Sequence, residues 1–333
     1  MILVTGATGI LGRVIVLELL KQGFTVRATK RPNSNLKEVE QSFAYYTENA
    51  KDFFKKIEWV NVDFNDIDTL QSALKNVTEV YHCAGKVSFH PKDKKEMYQT
   101  NITGTQNLLY ACEGSSVQKF CFVSSIAVLD GLNEFGEMDE NSDYNAKLNH
   151  SDYAISKHFS EMEVWRASAE GLNTVIINPG VIIGSGNWQH SSGKLFQTSE
   201  KNRYTLSGGT AYVDVRDVAK IAITLMEKNI FSERFVLVSE NMKFADFSKE
   251  IRNILNLPEP KILPNSFLNL IILIAELFGW LVPSFKIINK NNIKSVTTFN
   301  KISNKKIKEK LGFNFIPISE SIRFHLNHYK GKK

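Results

Sequence analysis

Tyr153 and Lys157 stand four residues apart in Tyr153-Ala154-Ile155-Ser156-Lys157, so one turn of helix would set a phenol and an ammonium on the same face. A free phenol, with a pKa near 10, is only about one part in a thousand ionised at neutral pH. A positive charge beside it favours the phenolate and makes the group a usable proton donor and acceptor. Upstream, the apolar run Phe120-Cys121-Phe122-Val123 delivers Ser124 and Ser125, and a hydroxyl there suits a hydrogen bond to a reacting oxygen. The spacing alone is weak, since Tyr329 and Lys333 repeat it at the C-terminus. The first copy gains weight from its order, behind a glycine turn and a serine-terminated strand.

That glycine turn is Thr5-Gly6-Ala7-Thr8-Gly9-Ile10-Leu11-Gly12, directly after the apolar run Ile2-Leu3-Val4. Glycines three apart at a strand-to-helix junction let the backbone turn tightly and approach a pyrophosphate, which the helix N-terminus favours. Gly6, Thr8, Gly9, Ile10, Leu11 and Gly12 are therefore the expected dinucleotide cradle. The second strand ends Arg27-Ala28-Thr29-Lys30-Arg31, with Lys30 where an NAD site usually carries an acid. A 2′-phosphate would find charge-assisted partners in Lys30 and Arg31, which predicts NADP over NAD. Asp63 suits a contact to the adenine amino group, and Asp63 or Asp66 alternatively suits a helix cap. His82-Cys83-Ala84-Gly85 ends the fourth strand with small residues where a cofactor ribose would press.

The elements that must position these groups alternate. Ile2–Thr5, Thr25–Thr29, Trp59–Val62, Glu79–His82, Phe120–Ser124 and Thr174–Asn178 read as strands; Leu11–Lys21, Asp68–Leu74, Lys94–Cys112 and Tyr153–Ala169 read as helices. This implies an α/β fold with a Rossmann-type, doubly wound parallel sheet and chemistry at its carboxyl edge. Residues 34–56 form an extra polar, helical segment with no assignable chemistry. Beyond Asn178-Pro179-Gly180 the pattern loosens, and helices at Val218–Lys228, Phe244–Leu255 and Ser266–Leu281 suggest a smaller, interleaved C-terminal substrate domain. The expected division is a dinucleotide-binding domain over 1–180, with a return segment near 210–240, and a mainly substrate-binding domain over 181–333.

Composition narrows the classes. The 333 residues are 43% hydrophobic and 23% charged, ordinary for a globular chain. The net charge of +6 owes much to Lys286, Lys290, Lys294, Lys301, Lys305, Lys306, Lys308, Lys310, Lys332 and Lys333, which match no nucleic-acid motif and read as a solvated basic surface. Cys83, Cys112 and Cys121 lack C-x-x-C spacing and read as reduced, buried thiols. No signal-peptide pattern opens the chain, and a cytoplasmic location is expected. Phe267–Val282 is the most apolar stretch but contains Asn269 and Glu276. It is shorter than the roughly 20 residues a membrane span needs, so it reads as a buried or cleft-lining helix, with membrane contact the less favoured alternative. The seven histidines are scattered; no metal site is expected, and His325 and His328 read as solvated.

Taken as an ordered set, these residues resemble the extended short-chain dehydrogenase/reductase family, of the NAD-dependent epimerase/dehydratase type. The motifs are T-G-x-x-G-x-x-G at Thr5–Gly12, H-x-A-G at His82–Gly85, N-x-x-G-T at Asn101–Thr105, S-S at Ser124–Ser125, Y-x-x-x-K at Tyr153–Lys157, N-P-G at Asn178–Gly180 and Y-V-D-V-R-D-V-A at Tyr212–Ala219. The resemblance implies a catalytic set of Ser125, Tyr153 and Lys157. It implies cofactor contacts from Cys83, Ala84, Gly85, Lys86, Asn101, Ser124, Tyr153, Lys157, Asn178, Pro179, Gly180 and Val181. Val26–Arg31 looks like the dihydroflavonol-reductase branch, in which Arg31 would hold the NADP phosphate; Ala84–Phe89 looks like the 3β-hydroxysteroid dehydrogenase-like proteins.

A moderately apolar ketone, aldehyde or secondary alcohol would then lie among Lys86, Val87, Ser88, Phe89, Ser125, Tyr153 and Val181–Trp188, with Trp188 as a wall of the substrate site. Thr210-Ala211-Tyr212 replaces the R-D-Y of nucleotide-sugar epimerases, which ranks sugar epimerase second, and Ile126-Ala127 replaces the acidic pair of sugar dehydratases. A redox-sensing protein that holds NADP without turnover is a third reading. Relatives of this kind pair through the helices at Lys94–Cys112 and Tyr153–Ala169, which implies a homodimer.

Overall fold

The computed structural model describes residues 1–186, 188, 194–264, 266–268 and 296–330. Of the apolar stretch 267–282, all but the first two residues lie outside the described residues, as do Lys286, Lys290, Lys294, Lys332 and Lys333.

In chain order the first half comprises β1 (Ile2–Thr5), α1 (Ile10–Lys21), β2 (Val26–Lys30), α2 (Leu36–Phe43), α3 (Ala50–Lys55), β3 (Glu58–Asn61), α4 (Ile67–Ala73), β4 (Glu79–His82), α5 (Lys94–Tyr98), α6 (Gly104–Glu113), β5 (Lys119–Val123), β6 (Glu137–Met138) and α7 (Asp152–Ala169). There follow β7 (Asn173–Pro179), β8 (Val181–Ile183), α8 (Lys194–Lys201), β9 (Tyr204–Thr205), β10 (Gly209–Asp214), α9 (Val215–Glu227), β11 (Glu233–Leu237), β12 (Glu240–Lys243), α10 (Phe244–Ile254), β13 (Lys261–Ile262), β14 (Lys301–Ile302), α11 (Lys305–Leu311) and α12 (Ile318–Lys330).

Seven of the strands form one parallel sheet in the order β11-β7-β5-β4-β1-β2-β3. Alternate residues point to opposite faces, so Ile2 and Val4 pack with α1 and α9, whereas Leu3 packs with α4 and α6. Both faces of the central strands are covered, which is why Ile2–Val4, Phe120–Val123 and Val175–Ile177 are continuous apolar runs. The winding reverses between β1 and β4, and the crevice at such a switch point is where a ligand fits. The glycine turn follows β1 and Cys83–Gly85 follows β4. The two loops are pressed together: a methyl group on Gly6, whose φ is +62°, would lie 2.6 Å from the Ala84 nitrogen.

A second, three-stranded sheet in the order β12-β10-β8 starts two residues beyond the end of β7. It is built against the first at Gly180, where a methyl group would meet the Ala211 carbonyl oxygen at 2.5 Å.

Two expectations change. The stretch expected as one helix over Lys94–Cys112 is α5, a π-helical turn over Gln99–Thr103, and α6. The π turn carries Asn101, which is buried, and an inserted residue of this kind re-aims a side chain within a helix. His325 is not solvated: it is 0% exposed. Its Nδ1 lies 2.7 Å from Ser185 Oγ and its Nε2 lies 3.2 Å from Asp214 Oδ2. The reason is the stripe Ile318, Ile322, Leu326 and Tyr329, which buries one side of α12 and carries His325 with it. His328 is half-buried against the Tyr45 ring, 4.7 Å between centroids.

Close packing at the turn makes a testable demand. A methyl group on Gly12 would lie 2.8 Å from the Gly6 carbonyl carbon and 2.9 Å from Ala7 Cα. Gly12→Ala is expected to destabilise the fold by about 1–3 kcal/mol and to weaken dinucleotide binding. Urea unfolding and a fluorescence titration check both, and a variant with unchanged midpoint and affinity would show that the turn does not need this closeness.

Candidate active site

Helix α7 begins at an N-cap, where Ser151 Oγ accepts from the Ala154 amide at 3.2 Å, so Tyr153 lies in its first turn. One turn later Lys157 points under the end of β5. Its Nζ donates to the Val123 carbonyl at 2.8 Å and stands 4.9 Å from the centre of the Phe122 ring. Burial pushes the Lys157 ammonium down to about 8, against the opposing influence of Glu161 and Cys83. Burial raises the Tyr153 phenol above its ordinary value, and a hydrogen bond with the Ser125 side chain works the other way. The resting phenol is therefore protonated, with Ser125 beside it and Phe89 edge-on at 6.2 Å between ring centroids.

The loop facing this pair is held by a directional chain of hydrogen bonds. Thr105 Oγ1 donates to the Asn101 carbonyl at 2.6 Å, so it accepts from His82 Nε2 at 3.0 Å. His82 Nδ1 then accepts from Thr5 Oγ1 at 2.7 Å, and Thr5 in turn accepts from the Ala84 amide at 3.2 Å. The parallel register, Thr5 opposite His82, brings the first two of these strands' side chains together. Every polar atom of the imidazole is used in its neutral form, and burial pushes His82 down to about 3. Asn101 continues the chain: its Oδ1 accepts from the Lys86 amide at 2.7 Å, and its Nδ2 donates to the Lys86 carbonyl at 3.0 Å and Ser156 Oγ at 2.9 Å. Ala84 and Lys86 are thus fixed by their backbone.

The side chains of the next segment divide by alternation. Lys86 pairs with Asp93 at 3.3 Å and Glu96 at 2.6 Å, and Ser88 Oγ donates to Asp93 at 2.7 Å. Val87 and Phe89 are instead 53% and 58% exposed. Trp188 packs with Tyr45, Phe196 and Tyr329, while Phe89 is the aromatic that meets Tyr153.

At the other end of the cleft, Gly6, Thr8, Gly9, Ile10, Leu11 and Gly12 form the turn into α1. Arg13, which the sequence reading passed over, is 1% exposed beneath it. Its guanidinium donates to the carbonyls of Thr8 and Gly9 and to both oxygens of Glu38, at 2.8 and 2.9 Å. Glu38 belongs to α2, so the 34–56 segment has a structural task after all. Lys30 donates to Asn61 Oδ1 at 2.7 Å, whereas the Arg31 side chain is exposed. Asp63 is exposed and accepts from the Asn65 amide and side chain, both at 3.0 Å; the cap of α4 is Asp66.

Asn178 closes the site from β7. Its Nδ2 donates to the Ser125 carbonyl at 3.1 Å and to Glu161 Oε1 at 2.6 Å, and Pro179, Gly180 and Val181 carry the chain into the second sheet. Ser124 is buried at the end of β5, facing Glu161. Glu161 is a second residue that the reading missed; its signal was its place four residues beyond Lys157 on one helix face. Among the described residues there is no cluster suited to a metal ion, and no helix is long and apolar enough to cross a membrane.

A model of the NAD dependent epimerase/dehydratase family matches residues 2–237. A putative dihydroflavonol 4-reductase of Synechocystis is 27% identical over 266 residues, 78% of this chain and 73% of that protein. Sterol demethylase protein B of Methylococcus capsulatus is 27% identical over 263 residues, 78% of this chain and 76% of that protein. The crystal structure of gox2253 superposes with a TM-score of 0.83 at 26% identity, covering 100% of this chain and 98% of that one. The UDP-glucose 4-epimerase of Thermotoga maritima shares the fold, with a TM-score of 0.77 at 19% identity over 99% of each chain.

The neutral burial of His82 has a pH signature. Above pH 6.5 the imidazole is neutral folded and unfolded, and the group adds no slope. As pH falls below 6.5 only the unfolded chain takes up the proton, so stability drops down to about pH 3. Between pH 6.5 and 4.5 this is expected to cost about 2–3 kcal/mol. His82→Gln, which donates and accepts without titrating, should flatten that part of the urea-unfolding profile; equal slopes in both proteins would refute the assignment.

Proposed function

This chain belongs to the NAD dependent epimerase/dehydratase family, and from that premise we propose that it is an NADP-dependent reductase interconverting a carbonyl and a secondary alcohol. The family uses a nicotinamide cofactor, and the relatives at 27% identity are named as reductases and a sterol demethylase protein. The single observation that carries the reading is the meeting of Tyr153, Lys157 and Ser125 at the carboxyl edge beside the glycine turn.

The residues present fit a dinucleotide. At Gly6 and Gly12 the turn leaves no room for a side chain, and a helix N-terminus so closely approached by backbone suits a pyrophosphate. Arg27 is committed to Glu58 and to the carbonyls of Ala73 and Lys75, and Lys30 to Asn61. Arg31 is then the cation at that edge best placed for a 2′-phosphate, and Asp63 remains a candidate for the adenine. Ala84–Lys86, Asn101, Asn178 and Pro179–Val181 would line the nicotinamide end. When bound, the cofactor exchanges a hydride with the carbonyl carbon. Ser125 holds the substrate oxygen, Tyr153 donates its proton to that oxygen as it becomes an alcohol, and Lys157 stabilises the phenolate left behind until solvent reprotonates it. In the oxidative direction the same phenolate takes the proton back.

Val87 and Phe89 support an apolar substrate beside Tyr153, and the pairing of Lys86 with two carboxylates leaves that segment without a spare cation for a sugar diphosphate. The elements from β8 onward supply the rest of the substrate side in this reading, and Trp188 would bound it at a distance from Tyr153. The unpaired Cys83, Cys112 and Cys121 fit a reducing, cytoplasmic setting.

The test is a screen of carbonyls and nucleotide sugars with NADPH and NADH. Wild type is expected to oxidise NADPH with an apolar carbonyl, Tyr153→Phe to lose about 10²-fold or more of kcat, and Arg31→Ala to lose its preference for NADPH. Equal turnover in Tyr153→Phe, or sugar inversion without net cofactor change, would overturn the reading. Tyr110, Phe159 and Met162 are exposed on α6 and α7, and we expect these helices to pair in a homodimer. Light scattering that shows only monomer would remove that expectation.

A further inference from the structure

We propose that Glu161 is a positioning residue for Tyr153 and Lys157, supplying from the same helix face the buried negative charge that keeps the Lys157 ammonium ionised. Through Asn178 it also holds the strand end that presents Ser125. This rests on the Tyr153 and Lys157 reading above and adds to it a third member of the helix face, at positions 153, 157 and 161.

Four residues of α-helix rise about 6 Å, so Glu161 lies one turn behind Lys157, on the side away from Tyr153. It is 2% exposed. A carboxyl group so deeply buried is costly as an anion unless its neighbours are donors or cations, and here they are. Asn178 Nδ2 donates to Oε1 at 2.6 Å, and Arg234 Nη1 stands 3.7 Å from Oε2. Burial raises the Glu161 carboxyl above its ordinary value, while Asn178, Arg234 and Lys157 work the other way. Arg234 is itself held by the Glu140 carbonyl at 2.7 Å and by Asp143 at 2.9 Å, so it is only partly spent on Glu161.

Lys157 faces, besides Glu161, the Val123 carbonyl, the Cys83 thiol, the His82 ring and the Phe122 face. His82 is neutral at working pH and Cys83 is pushed up to about 12 by burial. Glu161 is therefore the carboxyl among these groups, and its partners, the Asn178 amide and the Arg234 guanidinium, are those that suit an anion. Asn178 adds a mechanical link, since the amide group that holds Glu161 also donates to the carbonyl of Ser125 at 3.1 Å.

The experiment follows Lys157 directly, in the full chain with ¹³Cε-labelled lysine, its resonance assigned by Lys157→Arg. In the wild type it is expected to titrate at about 8. In Glu161→Gln the midpoint should fall by about one unit or more, while Glu161→Asp, which keeps the charge, should restore most of it. An unchanged midpoint in folded Glu161→Gln overturns the proposal. Should that variant fail to fold, the wild type decides: the ¹³Cδ resonance of Glu161 must show an inflection where Lys157 loses its proton, and a signal without one overturns the proposal.

In turnover, the alkaline limb of reductive kcat/KM should move to lower pH in Glu161→Gln, with the KM for NADPH unchanged; a loss equal at every pH would show a structural role only. The titrations need no substrate. A wild type without carbonyl turnover would refute the reductase reading, and the lysine resonance would still decide the role of Glu161.

Discussion

A cation buried under the end of a parallel sheet must be surrounded by groups that accept its charge, and the Lys157 ammonium imposes that requirement on everything near it. The Val123 carbonyl and the Phe122 face receive it from the sheet. Tyr153 one turn before and Glu161 one turn after make it the centre of a polar line on an otherwise packed helix. Because α7 also buries Val164 and Ala167 against the sheet, the line cannot rotate away from the cleft without emptying core. Packing thus sets the face that α7 turns to the cleft, and the polar line on that face sets the charge beside the phenol.

The cofactor end is governed by backbone proximity. Gly6 and Gly12 let two loops and a helix start occupy space that side chains would fill, and Arg13 gathers the carbonyls of Thr8 and Gly9 beneath the turn. A guanidinium so enclosed needs a counter-charge, and Glu38 supplies it from a segment that looks like a mere insertion. The same segment reaches the second sheet, where the Ser185 amide donates to the Tyr46 hydroxyl at 3.1 Å.

From the far side, α12 ties in through a buried polar cluster. Asp214 accepts from Arg216, from Ser321 at 2.6 Å and from His325, and Arg216 and His325 hold its carboxyl well below the usual carboxylate range despite burial. Burial lowers His325 in turn, and Ser185 completes the link to the loop after β8. The C-terminal helix is thus anchored to the end of β10 and to the loop after β8.

What the sequence determined by itself is whatever a few neighbouring residues decide. β1 and β4 have the bounds that their apolar runs predicted, and the glycine turn, the serine pair and the Tyr153–Lys157 spacing are legible because each is a local pattern. Family motifs then placed Asn101 and Asn178, whose partners no spacing could reveal. The tertiary structure alone decided the π turn at Asn101, the pairing of Arg13 with Glu38, the burial of His325 and the company of Glu161. Each of these depends on strand order bringing distant segments into contact, as with His325 and Asp214, 111 residues apart. A polar side chain reads as solvated in isolation, and only the partner that folding brings to it makes its burial affordable.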